Sequence, residues 1–316
     1  MVNWEEQRQL VKIATLYHYE DWTQEQIAKK FGISRPIVSK LLHRAKDQGM
    51  VEVYIKNENV HTVNLERKLE EHFHLREAVV VPSPAPNLER VTNAVGRAGA
   101  HYLSKKIKSI NSLGISWGNT LAELVKEFPY VIKDDIQVVP LEGGMGRKRA
   151  DIHANQLAYE LAKKMNGTCS YLYAPAIVET KELKDRLMQM SDINDVIEEG
   201  KQVDTALISL GTPYQHSTLQ SVGYLQEQDV EQLKEAGVVG EIGFRFYDRN
   251  GTPIHHSLEK EYIGVALEDI KKIDEVIGIV AGSHKVESVL AALKEGYVNV
   301  LVIDDQTASK LISEIE

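Results

Sequence analysis

A chain of 316 residues, 43% hydrophobic and 26% charged, has an ordinary globular composition and is too long for one average domain. No apolar run nears the ~20 residues of a membrane span, and the acidic start Met1 to Glu6 lacks a signal-peptide pattern, so a cytoplasmic protein is expected. A net charge of −9 argues against nucleic acid at first sight, and the single cysteine, Cys169, excludes an intrachain disulfide and reads as a buried structural thiol.

In chain order, residues 4–19 read as a helix, with Leu10, Ile13, Ala14 and Tyr17 on one face. Thr23 followed by Gln26 is a capping-box signal for a helix over 24–31, which Gly32 ends. Ser34 starts another helix, with Pro36 in its first turn, running to about Gln48. The alternation Met50 to Ile55 predicts a short strand, a wing. A polar linker is expected at 57–62, and Leu65, Leu69 and Phe73 mark an amphipathic helix, a bridge or the first helix of the larger domain. Beyond it, apolar runs at 78–81, 112–117, 136–141, 169–173, 205–210, 276–281 and 298–303 alternate with helical stretches. This pattern predicts a doubly wound, mostly parallel α/β sheet. The expected domains are 1–56, a winged helix-turn-helix, and 63–316, an effector and oligomerisation domain.

The segment from Gln24 to Leu42 carries the strongest signal. Ala28 lets two helices approach, Gly32 permits the turn, and Val38, Leu41 and Leu42 form a buried stripe. Residues 29–46 hold six bases (Lys29, Lys30, Arg35, Lys40, Arg44, Lys46) and no acid, a local field suited to phosphate despite the acidic whole. DNA contacts are expected from Thr23, Gln24, Ser34, Arg35, Pro36, Ser39, Lys40, His43 and Arg44, with the start of the second helix in the major groove.

Four strand-to-loop junctions in the larger domain suggest a small-molecule site at the carboxyl edge of the sheet. They are Ser116-Trp117-Gly118-Asn119-Thr120, Glu142-Gly143-Gly144-Met145-Gly146-Arg147, Leu210-Gly211-Thr212 and Ala281-Gly282-Ser283-His284-Lys285. The first places backbone N–H groups at a helix start, a natural phosphate cradle; Arg147 could reach an anion, and Lys285 supplies a cation. The third glycine of a dinucleotide fingerprint is missing, and the eleven histidines show no ligand spacing, so neither cofactor nor metal is expected.

These motifs, with the stretch Gly240-Glu241-Ile242-Gly243-Phe244-Arg245-Phe246-Tyr247-Asp248-Arg249-Asn250-Gly251, resemble the SorC family of bacterial sugar-responsive regulators over essentially the whole chain. The resemblance implies an effector domain like that of sugar-phosphate isomerases and deaminases, and a tetramer on operator DNA, acting as a repressor gated by a sugar, phosphorylated or not. It assigns effector contacts to Gly118, Asn119, Thr120, Gly143, Gly144, Asn155, Asp248 and Lys285, and the loop junctions themselves add Ser116, Glu142, Arg147, Gly211 and Thr212 as expected contacts. In a member that captures deoxyribose phosphate, the residue before the Gly-Gly pair is a lysine able to form a Schiff base. Glu142 cannot form that imine, so noncovalent binding is expected, with Glu142 accepting hydrogen bonds from sugar hydroxyls. The alternative is a sugar-phosphate isomerase or deaminase with an accessory DNA-binding module. It would need a general acid and base from Glu142, Asp248 or His284, and no motif demands catalysis by them.

Overall fold

A computed structural model describes residues 4–48, 50–51, 60–83, 87–144, 148–255 and 261–316. The chain divides into two compact units, residues 1–60 and 61–316. The first contains α1 (Trp4–His18), α2 (Gln24–Phe31) and α3 (Arg35–Asp47). At the start of α2 the Thr23 side chain accepts from the Gln26 N–H while the Gln26 side chain accepts from the Thr23 N–H, the reciprocal bonds of a capping box. Gly32 ends α2 at φ 63°, where a side chain would be strained, and its N–H bonds the Ala28 carbonyl. Ile13, Leu16, Ile27, Ala28, Val38 and Leu42 pack into the shared core, with Leu41 half-buried beside them. Tyr17 is exposed, and Leu16 fills the place expected for it, because the buried face of α1 runs one residue earlier there. Residues 52–55 of the expected wing lie outside the described residues.

The helix α4 (Val60–Phe73) begins at the last residue of the first unit and runs into the second, so Val60, His61 and Thr62 of the expected linker are its first turn. There follow β1 (Glu77–Val81), α5 (Leu88–Lys106), β2 (Ser112–Ile115), α6 (Asn119–Glu127), β3 (Gln137–Pro140), α7 (Ala154–Met165) and β4 (Thr168–Cys169). Next come α8 (Lys181–Met188), α9 (Ser191–Lys201), β5 (Thr205–Ile208), α10 (Thr218–Val222), α11 (Glu227–Glu235), β6 (Gly240–Ile242) and β7 (Arg245–Tyr247). The chain closes with α12 (Leu267–Ile270), β8 (Glu275–Val280), α13 (Val286–Glu295), β9 (Val300–Asp304) and α14 (Asp305–Ser313).

Among the described residues, seven strands form one parallel sheet in the order β1-β9-β8-β5-β2-β3-β4. Alternate side chains feed two cores. Leu113, Ile115, Val138, Leu207 and Ile277 pack under α5, α6 and α7, while Val139, Ala206, Ile208, Val276 and Leu301 pack under α4, α9, α13 and α14. Cys169 is half-buried at the edge strand β4, not fully enclosed as expected, because among the described residues no strand pairs on the outer side of β4. From β2 the order runs outward through β3 to β4, then returns to β5 on the other side of β2. The loops leaving β2 and β5 therefore diverge and open a crevice at their carboxyl ends, the usual ligand position in such sheets. A third core, holding Trp117, Leu219, Val222, Leu233, Phe244, Phe246 and Tyr262, packs beside that crevice.

Candidate functional site

The crevice is a narrow, largely polar cleft lined by residues from the ends of β2 and β5 and from the turn before α13. Trp117, Gly118, Asn119 and Thr120 enter it from the end of β2, Ser209, Gly211 and Thr212 from the end of β5, and Lys285 from the turn before α13. The N–H groups of Asn119, Thr120 and Leu121 open the nine-residue α6 and have no hydrogen-bond partner among the described residues. Gly118 reaches this helix start at φ 136°, with its missing Cβ pointing at the Ser209 side chain. The free amides of Asn119 and Thr120, the positive end of the helix and the Lys285 ammonium bring hydrogen-bond donors and positive charge into one cleft, which suits an anion chemically. That ammonium has no ion-pair or hydrogen-bond partner among the described residues; burial lowers its pKa against the charges of Glu241 and Asp304, which raise it.

Sequence reasoning missed several cleft residues, namely Ser209, and His216 and Thr218 in the loop after β5 and the first turn of α10; Trp117 and Glu241 stood within quoted motifs without being assigned a contact. Glu241 comes from β6, a strand too short for any period to announce. Its backbone exchanges both hydrogen bonds with Gly211, at 2.9 and 3.0 Å, and its carboxylate lies over that glycine. A Cβ on Gly211 would stand 1.8 Å from Glu241 Oε1, so close an approach needs glycine. Burial pushes the Glu241 carboxyl up to about 7, against the Phe244 N–H and the Lys285 charge, which favour its ionised form.

The turn between β6 and β7 is Gly243-Phe244, both at positive φ (53° and 70°), as a two-residue hairpin turn requires. Phe244 is a bulky residue in left-handed backbone, a conformation costing roughly 1–3 kcal/mol. It is nonetheless buried, stacked on Trp117 at 5.1 Å and edge-on to Tyr224 at 5.2 Å.

Other expected effector contacts lie elsewhere. Glu142 is buried, accepts a 2.9 Å hydrogen bond from the Ser116 hydroxyl, and does not line the cleft. Burial lifts its pKa to about 8, although the Ser116 hydroxyl and Trp117 amide favour the charged form. Gly143 and Gly144 run against 174–176, where a Cβ on Gly143 would meet the Ala174 carbonyl at 2.6 Å. Asn155 bonds both backbone groups of Leu172, and Asp248 accepts from the Asn250 and Thr252 amides in a turn. Glu142, Asp248 and His284 do not meet in the cleft, and Arg147 lies outside the described residues.

In the first unit, Ser34, Arg35, Pro36, Lys40 and His43 are exposed on α3 and its cap, with Ser39 half-buried between them. The Ser34 side chain makes no capping bond. Thr23 is exposed at the start of α2 and Gln24 half-buried. Arg44 is ion-paired with Glu6 of α1 at 2.9 Å. Ile37, an exposed aliphatic on the same helix, was not singled out from the sequence.

The family model described as "Putative sugar-binding domain" matches residues 57–313, and that described as "Sigma-70, region 4" matches residues 5–48. The deoxyribonucleoside regulator of Bacillus subtilis (strain 168) is 32% identical over 98% of this chain and 99% of its own length. The chain belongs to the SorC family of sugar-binding transcriptional regulators. Two solved structures agree with this placement. A DeoR family transcriptional regulator from Listeria monocytogenes is 40% identical, with TM-score 0.75 over 79% of this chain and 99% of that one. The full-length sorbitol operon regulator SorC of Klebsiella pneumoniae is 29% identical, with TM-score 0.77 over 98% of this chain and 99% of that one. This SorC-family chain thus joins a DNA-binding helix-turn-helix to a sugar-binding α/β unit, and the relatives it matches are named as regulators. Among the described residues, no helix is long and apolar enough to cross a membrane.

Proposed function

We propose that the protein is a cytoplasmic repressor of a carbohydrate operon, tetrameric on its operator, whose effector is a phosphorylated sugar held noncovalently in the cleft. The observation supporting this reading is that Asn119 and Thr120, whose amides open α6 without a partner among the described residues, line one cleft with Lys285, whose ammonium likewise has none there, at the sheet's crossover point. The phosphate sits on Gly118, Asn119 and Thr120 beside Lys285, and the sugar hydroxyls donate to Glu241 and meet Thr212. Glu142 acts from below, holding Ser116 and Trp117, so its departure from lysine removes covalent capture without adding a direct sugar contact. On the DNA side, α3 enters the major groove with Arg35, Ser39, Lys40 and His43, while Thr23, Gln24 and Arg44 meet phosphates.

A thermal-shift series of sugar phosphates against their unphosphorylated counterparts tests the effector assignment. A true ligand at about 100 times its Kd adds about 2.7 kcal/mol. Lys285→Met should abolish the preference for the phosphorylated form; an unchanged preference would overturn the placement of the phosphate.

A further inference from the structure

Two cleft walls are held by one residue outside the cleft. The Phe244 backbone N–H donates to Glu241 Oε2 at 3.1 Å, and the Phe244 ring stacks on Trp117 with planes 13° apart. Trp117 leads directly into Gly118-Asn119-Thr120, and Glu241 faces them in the same cleft. Both anchors depend on the left-handed backbone at Phe244, since that turn aims the N–H back at Glu241 and the ring at Trp117. The strain is tolerated because the aromatic surroundings, Tyr224 and Tyr262 among them, fix the ring from its other sides. Bulky side chains in such backbone persist where the surrounding structure over-determines them, and they cluster at ligand sites.

We propose that Phe244 is a positioning residue for the effector: by clamping Trp117 and Glu241 together it sets the spacing between the anion cradle and the carboxylate wall. This rests on the cleft being the effector site. Phe244 touches no ligand itself; its ring sets the position of the cradle and its amide that of the carboxylate.

The test uses the full chain with Trp4→Phe and Trp22→Phe, which leaves Trp117 as the sole tryptophan. Inorganic phosphate is titrated, and Trp117 emission is read with and without it. Phe244→Leu, keeping the apolar bulk and the N–H but not the flat ring, should shift ligand-free Trp117 emission. It should also weaken phosphate binding about threefold to tenfold, the equivalent of one aromatic pair. Phe244→Tyr should restore both. Wild-type affinity in Phe244→Leu overturns the proposal, and so does weakened affinity with unchanged Trp117 emission. Should Phe244→Leu fail to fold, Phe244→Tyr decides: wild-type emission and affinity support the clamp, whereas lost affinity with unchanged emission overturns it. Absence of phosphate binding in the parent protein would refute the effector site. Ligand-free emission of Phe244→Leu would then still decide whether Phe244 holds that wall.

Discussion

Glu142 and Glu241 are two buried carboxyls whose surroundings raise their proton affinity, to about 8 and about 7 from 4.5. The folded protein holds protons that the unfolded chain releases above about pH 4.5, so their contribution to stability is present at low pH and lost as pH rises through 7 and 8. The midpoint of thermal unfolding should therefore fall between about pH 5 and 8.5, and Glu142→Gln should flatten that fall. Parallel curves for the two proteins would refute it. Gly211→Ala should be destabilising by about 1–3 kcal/mol, because the new methyl displaces the Glu241 carboxylate; chemical denaturation measures it. At this scale the sequence was readable where chemistry is local. Gly118, Asn119 and Thr120 follow a strand and start a helix, and that order suffices to place free N–H groups at a helix start. The place of Glu142 was not readable, since a residue just past a strand can face a ligand or the layer beneath it, and packing decides which.

Regular elements separate along the same line. The inner strands β2, β3, β5, β8 and β9 are short and apolar, and their nearly continuous burial on both faces leaves a clear imprint, whereas edge strands β1 and β4 are partly exposed. The β6–β7 hairpin has three-residue strands and a strained aromatic at its turn, so neither period nor turn chemistry announced it, and Glu241, quoted only within the longer motif, was not assigned to the site. The amphipathic pattern of α4 was visible, but the role of its polar face was not. Glu66 and Glu70, one turn apart, accept hydrogen bonds from the N–H groups of Val80 and Ala78 at 2.9 Å each, closing the outer side of edge strand β1. Glu70→Ala should leave the Ala78 amide without that partner at a cost of about 1–3 kcal/mol. Hydrogen exchange at Ala78 should accelerate, and unchanged protection there would show that α4 covers the edge by packing alone.

For the molecule as a whole, charge is unevenly divided along the chain. Residues 29–46 hold six bases and no acid, while the full chain carries −9. Arg35→Ala should cost about 1–3 kcal/mol on operator DNA and relax specificity at one base position. A gel-shift comparison of operator with a single-base variant reads this, and equal losses on both would reduce Arg35 to a phosphate contact. The ion pair between Arg44 and Glu6 adds a quieter effect. An arginine held by a carboxylate of its own chain carries less net charge to a phosphate and displaces fewer condensed cations there, so the pair weakens the salt-dependent part of that contact. Freeing it with Glu6→Gln should steepen the slope of log affinity against log salt by about 0.9. The same substitution should raise affinity for an unrelated duplex at low salt, and an unchanged salt slope would show that the exposed pair opens when Arg44 meets DNA.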